Sequence, residues 1–343
     1  MANQKNTGLG LQQTKGKFQV YGKIIGVDKD RFYSEITTRT GKPMRMLNFG
    51  VEINRGQTIY LSLNGMENDK VYFSPDKKTE GQIESVPWRD RFTYNKPGYH
   101  AMGVCVGLEQ IVNAKGKPEN VKKYLVGFDA CEYISEHLQD GMSVFIRGDI
   151  EYSTYNEKHQ IKFVPSQVSL LSKDIDFDDT SYTVSAAFQQ QIIVMGVTKH
   201  ENGNDFVVSA KTVGFKSIED AEFILHKEKA PLAQALRKMK PYTTLMVFGN
   251  IEVINSAVEV KKDDIWGVNP MTITAPTIRQ LVITGGEPDT IDTTIYNEKD
   301  MEEAIARMNA KNQVKSDFAD TNDDEDNVWG SGNKNDDIDD DWD

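Results

Sequence analysis

The spacing of apolar residues changes period along this chain, and it does so twice in the same order. Ala130, Tyr133, Ile134 and Leu138 fall at the spacing of one buried helical face. Gly141 follows, a residue free to take the positive φ at which helices stop. Over residues 142–152 the period drops to two and predicts a strand with Gly148 in its middle. After a polar turn, 161–171 predicts another, carrying Pro165-Ser166. Further along, a helical pattern at 232–239 runs into a strand at 243–253 with Gly249 in its middle, then a longer loop, then 272–282 with Pro276-Thr277. Gly148-Asp149-Ile150-Glu151 lies over Gly249-Asn250-Ile251-Glu252. A glycine inside a strand marks a bulge or a sharp bend, as at the corner of a small barrel.

Ahead of the first helix, residues 17–28 alternate like a strand with two glycines. A polar loop over 30–43 closes on Thr40-Gly41-Lys42-Pro43, and 44–54 and 57–63 form two more strands around Arg55-Gly56. This is a meander of curved antiparallel strands. Residues 66–122 do not continue it and read as an insertion, with short strands at 70–73 and 101–108, the latter a possible pair with 123–128. A polar, acidic stretch over 173–181 reads as a linker. Beyond it, strands at 188–197 and 205–214 flank a turn at 200–204. A third strand is expected at 221–226, then a helix over 228–240 with Pro231 in its first turn. Residues 297–312 predict one more helix, whose stripe of Met301, Ala304, Ile305 and Met308 is expected to dock on the body. Residues 1–15 read as a flexible polar arm.

Three strands, a helix and two strands, occurring twice, is the order of the OB-fold, a small Greek-key barrel. The expected fold class is therefore mainly β. It comprises one OB-fold domain over 16–172 with the insertion, a second over 182–296, a short C-terminal helix, and a disordered acidic tail over 313–343.

Charge is concentrated at one end. Residues 316–343 hold twelve acids and one lysine, a net −11 of the chain's −12, so the body is near neutral. That asymmetry points to nucleic acid or partner proteins. The tail repeats itself: 322–329 and 335–342 both read Asn-Asp-Asp-x-Asp-x-x-Trp. Trp329 and Trp342, with Ile338, Asp340 and Asp341, are the candidate partner-docking residues, since an exposed tryptophan is costly without a pocket to fill. An acidic tract alone usually serves solubility only.

Five histidines show no metal-ligand pairing, the two cysteines form no CxxC, and there is no phosphate loop or nucleophile elbow. Nothing asks for a cofactor or a metal, and a binding protein is expected rather than an enzyme. Mean hydropathy is −0.53 and no apolar run is long enough to span a bilayer, so a cytoplasmic protein with reduced thiols is expected.

Residues 141–155, with Tyr124-Leu125-Val126-Gly127-Phe128 and the helix between, resemble the fourth-strand and hairpin region of bacterial single-stranded-DNA-binding proteins. The acidic C-terminus is similar too, although it ends in Asp-Asp-Asp-Trp-Asp rather than in that family's Pro-Phe tip. The insertion, the second barrel and the tip suggest a phage-encoded or otherwise divergent relative. The resemblance implies single-stranded DNA as ligand and replication, recombination or repair proteins as tail partners.

Binding a single strand without sequence preference takes cations for the phosphates and aromatic faces for the bases. The stretch 88–100 packs four aromatics, two arginines, a lysine and a histidine into thirteen residues with no aliphatic. Trp88, Arg89, Arg91, Phe92, Tyr94, Lys96 and Tyr99 are its candidate contacts, against the plainer reading of a self-packed loop. The first hairpin loop offers Arg31, Tyr33, Arg39, Lys42 and Arg45, and the hairpin after Gly148 offers Tyr152, Tyr155 and Lys158. Two other readings stay open. One is a tandem-OB scaffold of a replication or recombination complex with little DNA affinity. The other is an acidic mimic of DNA.

Overall fold

In the computed structural model, residues 8–155, 158–255 and 277–317 are described. The first half holds β1 (Gly16–Ile25), β2 (Tyr33–Thr37), β3 (Pro43–Asn54) and β4 (Gln57–Met66). There follow β5 (Lys70–Pro75), β6 (Glu84–Pro87), a single 3-10 turn at Trp88–Asp90, β7 (Tyr99–Ala101), β8 (Val104–Val112) and β9 (Pro118–Leu125). The helix α1 (Gly127–His137) then leads into β10 (Ser143–Tyr155) and β11 (Lys158–Leu170). The second half holds β12 (Ala186–Lys199), β13 (Phe206–Val213), β14 (Ile218–Leu225), α2 (Ala230–Arg237), β15 (Thr243–Asn255), β16 (Thr277–Asp292) and α3 (Glu298–Asp317).

Each half closes a barrel. β1 pairs β3 at one end (Ile24 opposite Val51) and β10 along the other (Phe18 opposite Gly148). β3 pairs β4, β4 runs parallel to β11 (Leu61 opposite Phe163), and β11 returns to β10. The second ring is β12-β13-β14-β16-β15, and its parallel step sets Ile224 opposite Val282. A helix links the third and fourth barrel strands in both. This is the OB-fold, twice. Alternation drives it: Phe18, Val20 and Ile24 of β1 are buried while Lys17 and Gln19 are exposed.

The repeated glycines have one cause. The register shifts between Arg147 and Gly148 and again between Phe248 and Gly249. A Cβ at Gly148 would collide with the Val164 carbonyl oxygen, and one at Gly249 with that of Val282. The strand folds over its partner there, which only glycine permits.

The barrels join through β1 and β12, which pair antiparallel with Phe18 opposite Phe188. Since Phe18 also lies opposite Gly148, and Phe188 opposite Gly249, a pseudo-twofold passes between the two phenylalanines. Each barrel's last hairpin reaches across this axis. Thr154 Oγ1 of β10 donates to Glu219 Oε2 of β14 (2.6 Å), and the Arg279 guanidinium of β16 lies 4.5 Å from the centre of the Tyr60 ring on β4.

The arm expected to be flexible and the stretch read as a linker both pack on the barrels. From residue 8 the N-terminal arm lies on the second barrel: Leu9 and Leu11 are buried with Ile193, Val213, Ile218, Tyr296, Met301 and Ala304. Tyr296 donates to the Gln12 carbonyl (2.6 Å), and Thr14 bonds Val213. The arm's leucines find their complement on α3, at the other end of the chain, which no local pattern shows. The linker wraps the first barrel: Ile175 is buried, Tyr182 donates to the Ile53 carbonyl (2.7 Å), and Arg55 pairs Asp178. The stripe on α3 docks through Met301 and Ala304. Pro276 and the tail from residue 318 onward lie outside the described residues, whereas 313–317, expected in the disordered tail, continue α3.

The insertion makes a small sheet of its own, β6-β5-β7, and a hairpin β8–β9 that extends the first barrel by running parallel to β11 (Val168 opposite Val106).

Candidate nucleic-acid interface

The outward face of the third barrel strand sits between the insertion and the other barrel. On β4 the inward residues Ile59, Leu61 and Leu63 are buried, so Thr58, Tyr60, Ser62 and Asn64 form the outward row. Facing them on β3 are Asn48 and Gly50, opposite Ser62 and Tyr60.

Several of the expected cations are held by carboxylates. Arg45 forks onto Glu132 (2.9 and 3.0 Å), donates to Glu35 (2.9 Å) and stacks 3.9 Å above the Phe128 ring. The Arg45 hydrogen bond holds the Glu35 carboxyl below its ordinary value. Burial pushes the Tyr33 phenol up, and its hydroxyl donates to Glu35 (3.2 Å). Arg91 forks onto Asp129 (2.7 and 3.0 Å), with side chains only 15% and 9% exposed. Lys96 pairs Glu84, and its hydrogen bond, with that of Tyr94, holds the Glu84 carboxyl low. Lys42 lies 3.7 Å from Asp69.

The stretch 88–100 therefore divides. Trp88, Tyr94 and Tyr99 pack on Val71, Phe73 and Val86 as the core of the small sheet, with Tyr94 and Phe73 centres 4.4 Å apart. Aromatics serve here where a larger domain uses aliphatics. Phe92, by contrast, is 69% exposed. Its ring lies 4.1 Å from the Arg91 guanidinium, which is also 4.2 Å from the Trp88 ring centre. The cation ties the exposed Phe92 ring to the small core. Arg89 beside it is 87% exposed, with a long contact to Asp90 (3.6 Å) as its one ion pair among the described residues. Arg31 and Arg39 are exposed.

Tyr152 turns inward, and its hydroxyl is buried without a partner among the described residues. Burial drives its phenol far up. The side chains of Tyr155 and Lys158, and the tail residues Trp329, Ile338, Asp340, Asp341 and Trp342, lie outside the described residues.

Sequence reasoning passed over Tyr72, which is 54% exposed. The signal was present: Val71 and Phe73 point into the small core, so Tyr72 between them must point out. It also left Tyr60 unassigned and did not use Asn64 or Lys70.

Two closed five-stranded barrels in one chain, tied by β1 and β12, define a tandem OB-fold protein. The chain belongs to the YorF family, whose model matches residues 75–321. A comparison with curated protein sequences finds no match. Among solved structures, the chain is similar to the wild-type single-stranded DNA binding protein from Thermus aquaticus, with a TM-score of 0.36 and 12% identity, covering 80% of this chain and 93% of that one. A deletion mutant of the same protein gives 0.36 and 13%, covering 80% and 94%. A replication protein A heterotrimer bound to ssDNA gives 0.19 and 8%, covering 89% and 97%.

Proposed function

We propose that the protein binds single-stranded DNA without sequence preference and protects or organises it during replication or recombination in the cytoplasm. The observation that carries this reading is the Phe92 ring, 69% exposed and held through Arg91 against Trp88. The ring stands beside the exposed Arg89, on an insertion carried by a barrel of a type that binds oligonucleotides. The acidic tail recruits partner proteins, with Trp329 and Trp342 as anchors amid the carboxylates of Asp340 and Asp341 and with Ile338 beside them. The test is a titration of labelled oligo-dT at two salt concentrations, with duplex of equal length as competitor. Binding to the single strand with log K falling against log salt supports the reading. Equal preference for duplex, or no binding at low salt, overturns it. Phe92→Ala is the informative variant, since Trp88 and Tyr94 are core and their loss would damage the fold.

A second reading has an observation in its favour. Arg45, Arg91, Lys96, Lys17 and Lys123 all sit in ion pairs, which lowers the positive potential available to phosphates. A scaffold of a replication complex with little DNA affinity fits that neutralisation. It predicts a titration without binding and tail-dependent capture of partner proteins.

A further inference from the structure

At the end of the outward row on β4, between the first barrel and the small sheet, lies a cavity of about 670 Å³. Its walls include the exposed Tyr72 and Met102, linked by a hydrogen bond from the Met102 N–H to the Tyr72 carbonyl (2.8 Å), with Trp88 and Met66 alongside. Its polar lining includes Asn64, Asn68, Lys70 and Asp69, whose carboxylate lies 3.7 Å from the Lys42 ammonium. The Asn64 carboxamide has no hydrogen-bond partner and the Lys70 ammonium no carboxylate partner among the described residues. Lys70 stands apart from the paired cations nearby. The half-buried row Thr58-Tyr60-Ser62-Asn64 ends here, with the Ser62 hydroxyl buried and Tyr60 under the Arg279 guanidinium, so the cavity is where this face of the strand opens.

We propose that this cavity captures one unstacked nucleotide of the bound single strand, an inference that rests on the DNA-binding reading above. Tyr72 supplies the stacking wall, and methionine thioethers adapt to rings of different shape. Asn64 presents one acceptor and a pair of donors toward the edge of the base. Lys70 meets the adjoining phosphate. The insertion, not the barrel alone, makes this site, since β5 and the segment before β8 supply Tyr72, Lys70 and Met102. Phe92, on the same insertion, offers a second stacking face.

The test uses the full chain. Ultraviolet cross-linking to oligo-dT followed by peptide mass spectrometry is expected to place an adduct on the peptide containing Tyr72 or Trp88. Tyr72→Ala, at an exposed position that leaves the circular dichroism unchanged, is expected to weaken oligo-dT binding roughly 5- to 100-fold. Lys70→Ala is expected to reduce the magnitude of the salt slope by about 0.7, the share of one phosphate. If Y72A and K70A titrate like the wild type while F92A binds more weakly, the strand bypasses the cavity and the inference fails with the DNA-binding reading intact. If the wild type itself does not bind, both fall together.

Discussion

At the scale of residues, the main lesson concerns two arginines. Arg45 and Arg91 both end on α1, at Glu132 and Asp129, and each also lies over an aromatic ring. They staple the first hairpin loop and the insertion to the barrel. Arg91→Ala removes a bidentate pair and leaves the Asp129 carboxylate buried alone. Such losses cost about 3 kcal/mol or more. Urea unfolding is expected to show that loss for R91A, while R89A, at an exposed site, stays within about 0.5 kcal/mol of the wild type. Equal stability of the two variants would show that the staple contributes nothing. The composition of 88–100 draws attention to this stretch. It does not reveal that Arg91 is engaged, because the carboxylate that holds it, Asp129, lies 38 residues further along the chain. Phe92 and Arg89 have no such distant partner among the described residues, and both are exposed.

At the scale of elements, the repeat was legible because one geometric demand produces it. A strand that must fold over a neighbouring carbonyl requires glycine, so Gly148 and Gly249 stand out at the same place in each barrel. Gly148→Ala and Gly249→Ala are each expected to cost roughly 1–3 kcal/mol in urea unfolding, the usual penalty for forcing extra atoms into a packed site. A neutral substitution at either would remove the reason for the repeat. The arm, the linker and the cross-barrel hairpins were not legible, because their complements are remote in sequence. A further element carries a charge switch. Burial lowers the basicity of His226, but Glu252 and Asp205, each 3.4 Å away, outweigh it and hold the imidazole above its ordinary value. A raised pKa in the folded state contributes stability that is fully present below the unfolded value, about 6.5. That contribution is lost as pH rises through the higher folded value. The wild type is therefore expected to lose stability relative to His226→Gln as pH rises from 6 toward 8. Parallel pH profiles for the two proteins would show that the pairing is too exposed to matter.

At the scale of the whole molecule, the barrels are not beads on a string. They share a sheet through β1 and β12, exchange hairpins, and are wrapped by the linker on one side and by the arm with α3 on the other. The body is close to neutral while residues 316–343 carry a net −11. A polyanion tethered to a DNA-binding body competes with phosphate for the same cations, and the competition is strongest where screening is weak. Deleting 316–343 is therefore expected to tighten binding to short oligo-dT at low salt, with the gain shrinking as salt rises. Replacing only Trp329 and Trp342 with alanine keeps the charge, so DNA affinity should hold while capture of partner proteins is lost. The two variants separate the tail's two proposed roles. Unchanged affinity and an unchanged salt slope after the deletion would mean that the tail does not compete for the body's cations, leaving partner recruitment as its only proposed work.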